Sequence, residues 1–185
     1  HSERPGIKLV KQGGDQEFIQ FWVNTPAKYK MEAPYYLPIS ADDTPKIKKE
    51  NAEISIVAGT FESKIGPAKT YSPQTLLRIE AKLGAKLQLP IPNTYNTILY
   101  VLNGNLVIDG QKVKAKDMVW FENNGDYIEI ESTATTRFIV LSGEPIGEPV
   151  ASYGPFVMNS QEELQQAVND FHNGDMGTLT ETFES

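Results

Sequence analysis

The chain contains no cysteine and only two histidines among its 185 residues. Disulfides, a cysteine nucleophile and every thiolate metal site are thereby excluded. With His1 and His172 as the whole imidazole complement, neither a Ser-His-Asp nor a Cys-His catalytic arrangement can be argued. Long apolar runs are also missing, and none approaches the ~18 residues needed to cross a bilayer. Cations are outnumbered, 17 Lys and Arg against 24 Asp and Glu, for a net charge of -7. No stretch concentrates Lys and Arg enough to neutralise a run of phosphates, so direct nucleic-acid binding is not expected. The small basic cluster Lys46, Lys48, Lys49 reads as a solvated turn. Glycines stand singly at turns and form no phosphate loop. No charged and then apolar opening marks a secretory leader, and the expectation is a cytoplasmic protein without a membrane segment.

What is present is mostly strand. Residues 17–23, Glu-Phe-Ile-Gln-Phe-Trp-Val, have the aromatic and β-branched content of a strand. Aromatics on a strand usually enter a core, so Phe18, Phe21 and Trp22 are expected to be covered, with the lining of a small-molecule pocket as the sharper reading. Residues 24–45 then carry Pro26, Pro34, Pro38 and Pro45, which rules out a central strand or a long helix and leaves a linker or an arm laid across a surface. From Glu53 onward nine short strand-like runs recur, at 53–58, 74–80, 86–91, 97–102, 105–108, 111–114, 117–121, 127–131 and 136–142. Asn103-Gly104 and Asp109-Gly110 favour positive φ at two successive positions, the requirement of type I′ hairpin turns, and so predict a tight meander. Regular short strands of this kind make an all-β sandwich or barrel. Glu129 and Glu131 share one face of their strand; paired carboxylates can divide acid and base work, but the plainer reading is a solvent-facing edge.

One helix is predicted, at the end. Ser160 and Glu163 have the spacing of a capping box, and Leu164, Ala167, Val168 and Phe171 form an apolar stripe for docking on the barrel. Gly174 supplies the stop, and His172 in the last turn complements the negative end of the helix dipole.

At the other end of the chain, His1 and Glu3 lie at i and i+2, on one face of an extended segment. An imidazole nitrogen beside a carboxylate oxygen suits Fe(II), Mn(II), Ni(II) or Zn(II). Two ligands alone would hold such an ion poorly, because a stable site normally takes three or more protein groups.

Several stretches together resemble the pirin family: His1-Ser2-Glu3-Arg4-Pro5; Gln20-Phe21-Trp22-Val23-Asn24-Thr25-Pro26 with Lys30-Met31 and Pro34-Tyr35-Tyr36; Ser142-Gly143-Glu144-Pro145 with Glu148-Pro149-Val150; and Gly154-Pro155-Phe156-Val157-Met158-Asn159, followed by Glu162-Glu163, Gln166-Ala167, Asp170-Phe171 and Gly174. The likeness runs through the whole chain. It implies a bicupin whose N-terminal barrel binds the metal through three His and one Glu. His1 and Glu3 match the third His and the Glu, and the His-x-His pair would lie upstream of the first residue. The chain would then be truncated at its N-terminus.

The domains implied are 1–36 as the closing strands of that metal-binding cupin, 37–52 as a linker, 53–158 as a C-terminal cupin (a double-stranded β-helix or jelly-roll barrel) without metal ligands, and 159–185 as helix and tail. The resemblance further implies iron, with zinc, manganese, nickel or copper as alternatives. In the intact protein it implies quercetin 2,3-dioxygenase-like activity on a small aromatic, flavonol-like substrate, with Glu3 as ligand and proton acceptor. The other implied role is a metal-dependent regulatory module of the transcription co-regulator type. Aromatics of an uncovered N-terminal arm would favour a dimer.

Counting the cupin pattern G-x5-H-x-H-x4-E-x6-G from Gly84 reaches Pro90, Pro92, Thr97 and Gly104, and the second motif places Tyr127 at the remaining His position. The spacing fits while every metal ligand is replaced, because proline has no side-chain donor and threonine is a poor ligand.

Overall fold

The computed structural model describes residues 5–179, which divide into two compact units, 31–147 and the pair of stretches up to residue 30 and from residue 148. In the first unit, β1 (Lys46–Lys49), β2 (Ala52–Ala58), β3 (Thr60–Phe61), β4 (Lys64–Ile65), β5 (Gln74–Ala81) and β6 (Lys86–Pro90) are followed by β7 (Asn96–Asn103), β8 (Asn105–Ile108), β9 (Gln111–Lys114), β10 (Met118–Phe121), β11 (Tyr127–Ser132) and β12 (Thr136–Gly143). All nine runs expected between residues 53 and 142 form strands. They build a six-stranded sheet, β1-β2-β5-β12-β7-β10, and a four-stranded sheet, β6-β11-β8-β9. Alternation decides which side chains go in. On β7 the buried Thr97, Leu99 and Val101 alternate with Ile98 and Tyr100; on β11 the buried Ile128 and Ile130 alternate with Glu129 and Glu131. One apolar core joins both sheets, centred on the fully buried Leu77, Ile79, Leu99, Val101, Phe138 and Val140.

Three expectations need correction here. Lys46, Lys48 and Lys49 lie on β1, not in a turn or linker, paired antiparallel with β2. Ile47 packs against the core while the lysines stay outside, and a lysine-rich edge resists pairing with another chain. Glu129 and Glu131 do face solvent, but from an interior strand, since β11 pairs with both β6 and β8. Finally, Asn103-Gly104 does not close a hairpin. Gly104 alone has positive φ, and there the chain passes from one sheet to the other. Asp109-Gly110, with φ of 49° and 71°, does close the hairpin between β8 and β9.

The crossing at Gly104 is crowded. The Thr136 hydroxyl accepts from the Asn105 N–H at 3.0 Å, and a Cβ on Gly104 would run into that hydroxyl and the Thr135 carbonyl. Nothing lies near the equivalent position of Gly110. Gly104→Ala is therefore expected to cost about 2 to 4 kcal/mol, from positive φ and overpacking together, against about 1 kcal/mol for Gly110→Ala from φ alone. Urea unfolding of both variants checks this, and equal costs would contradict it.

The second unit holds α1 (Ile7–Gln12), a 3-10 turn (Ala27–Tyr29), the hairpin β13 (Ala151–Tyr153) with β14 (Phe156–Met158), and α2 (Gln161–Asn173). The capping box of α2 is made as expected: Ser160 Oγ accepts from Glu163 N–H at 3.2 Å, and Glu163 Oε2 accepts from Ser160 N–H at 3.0 Å. Leu164 and Ala167 are buried, and α2 packs on the β13–β14 hairpin of its own unit. Phe171, at the end of the stripe, stays exposed and meets Phe156 edge to face at 6.3 Å.

Residues 17–23 form no strand. A strand exists only as part of a ladder that satisfies its N–H and C=O groups, and strand-like composition alone does not supply one. Phe18, Phe21 and Trp22 are correspondingly exposed rather than core or pocket lining, Trp22 by 63%.

Candidate functional site

The open end of the barrel in residues 31–147 forms a cavity of about 620 Å³. Its floor lies between the two sheets. On the six-stranded sheet, Ser142, Thr97 and Phe121 stand side by side across β12, β7 and β10. Thr97 and Ser142 are buried, and their hydroxyls share a hydrogen bond of 2.8 Å. Facing them from the four-stranded sheet are Ile108, Val113 and Ile128, with Ile91 just beyond β6. These four keep 6–8% exposure, whereas Leu99, Val101, Leu106 and Phe138 at the closed end have none. The rim carries Asn93, Tyr95, Lys112 and the carboxylates of Asp109, Glu122 and Glu129.

The cupin spacing counted from Gly84 is one residue out of phase with these strands. Pro90 and Tyr127 are cross-strand partners and both are exposed, while their neighbours Leu89 and Ile128, also paired, point into the barrel. Pro92 is exposed too; Thr97 does face inward. The apolar alternation Leu87, Leu89, Ile91 sets the register of β6, and a slip of one residue reverses every side chain. The inward set is accordingly Leu89, Ile91, Thr97 and Ile128, three hydrocarbons and one neutral hydroxyl already bonded to Ser142. That set does not fit a metal ion. Among the described residues, no group of three or more His, Cys, Asp or Glu is placed to hold one.

His1 and Glu3 lie outside the described residues. His172 occupies the last turn of α2, its ring 5.9 Å from that of Phe171. Three carboxyl groups sit below their ordinary range through local donors: Asp43 through the Ser40 hydroxyl, Glu53 through the Lys46 ammonium, and Glu162 through a backbone N–H and Ser160 at the start of α2. None of the three lines the cavity.

A second cluster joins distant stretches of the other unit. Glu148 accepts from the Ala27 N–H at 2.7 Å and from Asn159 Nδ2 at 3.2 Å; the same Asn159 nitrogen donates to the Pro149 carbonyl at 2.8 Å. Lys30 donates to Asn24 at 2.6 Å. Spacing along the sequence gave no sign of this junction, because its partners stand up to 121 residues apart.

A two-sheet antiparallel barrel with one open, side-chain-lined end defines a cupin domain. A family model described as "Pirin C-terminal cupin domain" matches residues 76–177, and the chain belongs to the pirin family. It is 34% identical over 176 residues to a Pseudomonas aeruginosa protein provisionally named a quercetin 2,3-dioxygenase, covering 94% of this chain and 62% of that protein. It is 32% identical over 182 residues to the pirin of Homo sapiens, covering 96% of this chain and 61% of that protein. The crystal structure of a quercetin 2,3-dioxygenase from Acinetobacter baumannii superposes with a TM-score of 0.82 at 32% identity, over 86% of this chain and 56% of that one. The chain thus spans about three fifths of the curated relatives it matches. No helix among the described residues is long and apolar enough to cross a membrane.

Proposed function

We propose that the intact protein is a metal-dependent oxygenase of the quercetin 2,3-dioxygenase type, in which His1 and Glu3 supply an imidazole and a carboxylate to the metal. The observation that carries this reading is the 34% identity to the Pseudomonas aeruginosa protein across 94% of the chain, together with the 0.82 TM-score against the Acinetobacter baumannii enzyme. The metal is iron, with zinc, manganese, nickel or copper as alternatives, and when bound it supplies Lewis-acid polarisation of the substrate oxygens. His1 and Glu3 stand two positions apart, the spacing at which an extended segment would put two side chains on one side. Glu3 also holds the proton released from the hydroxyl of a flavonol-like substrate. The barrel of residues 31–147, whose inward set lacks ligands, takes no part in holding the metal.

On the same footing, residues 1–36 close a preceding barrel and the protein is cytoplasmic. The exposed Phe18, Phe21 and Trp22 are the surface that this barrel, or a second copy of the chain, would cover. A monomer in sedimentation of the 185-residue chain would remove the second copy.

The test is mass, metal content and quercetin turnover of the protein isolated from its natural source. The expected result is a mass above 20.6 kDa, about one metal per chain, and oxygen uptake on adding quercetin that a chelator abolishes. A metal-loaded protein that turns over no flavonol would replace the oxygenase with a regulatory module. A metal-free protein of 20.6 kDa would overturn the reading altogether.

A further inference from the structure

The cavity of the C-terminal barrel has no part in the proposed metal chemistry. Its volume of about 620 Å³ is in the range of small-molecule pockets, roughly 300 to 1,000 Å³. Packed sheets stand ~10 Å apart, which bounds the space available between them. Phe121 and Tyr95, both partly buried, offer rings to it. Ile91, Ile108 and Ile128 offer hydrocarbon.

The floor carries one polar feature with unused capacity. Two hydroxyls joined by a single hydrogen bond hold two hydrogens, of which only one lies between them. Thr97 is 2% exposed and Ser142 5%, and only Thr97 lines the cavity. With Ser142 donating to Thr97, the Thr97 hydrogen is left for an acceptor in the cavity; with the bond reversed, Thr97 offers a lone pair there. A buried hydroxyl of this kind is costly when unmatched, so it selects a ligand with a polar group at its inner end.

Charge narrows the ligand further. The rim carries Asp109, Glu122 and Glu129 against the single Lys112, an excess of negative charge that disfavours anions, and no charged residue among those lining the cavity lies on the floor.

We propose that the open end of this barrel is a second small-molecule site, taking a neutral, planar aromatic molecule whose single hydroxyl or carbonyl group bonds to Thr97. The site does not depend on the metal reading, and a chelator leaves it unchanged.

The experiment is calorimetric titration of the full chain, in the presence of a chelator, with 2-naphthol, and in parallel with naphthalene and 2-naphthoate. The expected result is saturable 1:1 binding of 2-naphthol and weaker binding of both analogues. Thr97→Val is expected to lower affinity for 2-naphthol roughly 3- to 10-fold, the loss of one hydrogen bond, while leaving naphthalene unchanged. Ile91→Trp fills the cavity and is expected to abolish binding, with Val113→Phe serving should the first variant fail to fold in a thermal melt. Absence of saturable 2-naphthol binding overturns the proposal. So does binding that survives the filled cavity, or an affinity indifferent to Thr97→Val in a folded variant.

Discussion

If Glu3 has the proposed role, replacing it with glutamine in the intact protein is expected to lower the proposed flavonol turnover by roughly two to four orders of magnitude, the range of a lost general base. The two side chains have nearly the same shape. What changes is that a neutral amide cannot hold the proton released by the substrate hydroxyl, and its carbonyl oxygen is a weaker donor to a divalent ion than a carboxylate. Under the same proposed reading His1→Ala would act differently, because it would remove a proposed ligand and keep the proposed proton acceptor. The pair therefore separates two roles. Metal content should fall most in His1→Ala, whereas turnover per bound metal should fall most in Glu3→Gln. Metal analysis beside oxygen uptake on quercetin reads both. Full turnover per metal in Glu3→Gln would leave Glu3 a ligand at most, and unchanged metal content in both variants would take the site elsewhere in the protein.

The largest stability effect is expected at Phe138. It is fully buried on β12, opposite Ile79 of β5 on one side and Val101 of β7 on the other, both also without exposure. Truncation to alanine removes the transfer free energy of the ring and leaves a cavity that two flanking strands, held in register, cannot collapse to fill. The expected cost is about 3 to 5 kcal/mol, a large share of the ~5 to 15 kcal/mol that stabilises a typical domain. A melting temperature lower by roughly 10 to 20 °C follows for a unit of this size. Phe171 is the control: it is 61% exposed at the end of α2, and Phe171→Ala is expected to stay within about 0.5 kcal/mol. Comparable losses at both positions would mean that burial does not decide the cost.

Nine of the thirteen strands from residue 52 onward were legible in the sequence because each is a short run of apolar and β-branched residues, a property of neighbouring residues, whereas β3, β4, β13 and β14, of two or three residues each, were not. The same holds for α2, whose capping box needs only Ser160 and Glu163 three positions apart. Where a partner from elsewhere in the chain was required, the sequence was silent or misleading. Residues 17–23 have strand composition but form no strand. Lys46–Lys49 have the charge of a turn but find β2. Asn103-Gly104 has hairpin chemistry, yet its flanking strands belong to different sheets.

The candidate sites divide in the same way. His1-x-Glu3 is a local motif that the sequence alone can raise as a candidate, it lies outside the described residues, and the family likeness rests on such local motifs throughout. The Thr97–Ser142 pair joins hydroxyls 45 positions apart, and the Glu148 junction joins Ala27 to Glu148 across 121. Neither residue type announces such a role. Even the cupin frame, correct in its spacing at Thr97, pointed to Pro90 and Tyr127 when the inward positions are Leu89 and Ile128. Counting along a sequence gives a separation, but only the pairing of β6 with β11 decides which of two adjacent side chains faces the barrel, because a strand turns each residue to the opposite side of the one before it. By itself, then, the sequence determined an all-β chain of the pirin type with a helix at its end. The tertiary structure alone decided which side chains enter the barrel and that a hydroxyl pair, rather than a metal ligand, lies on its floor.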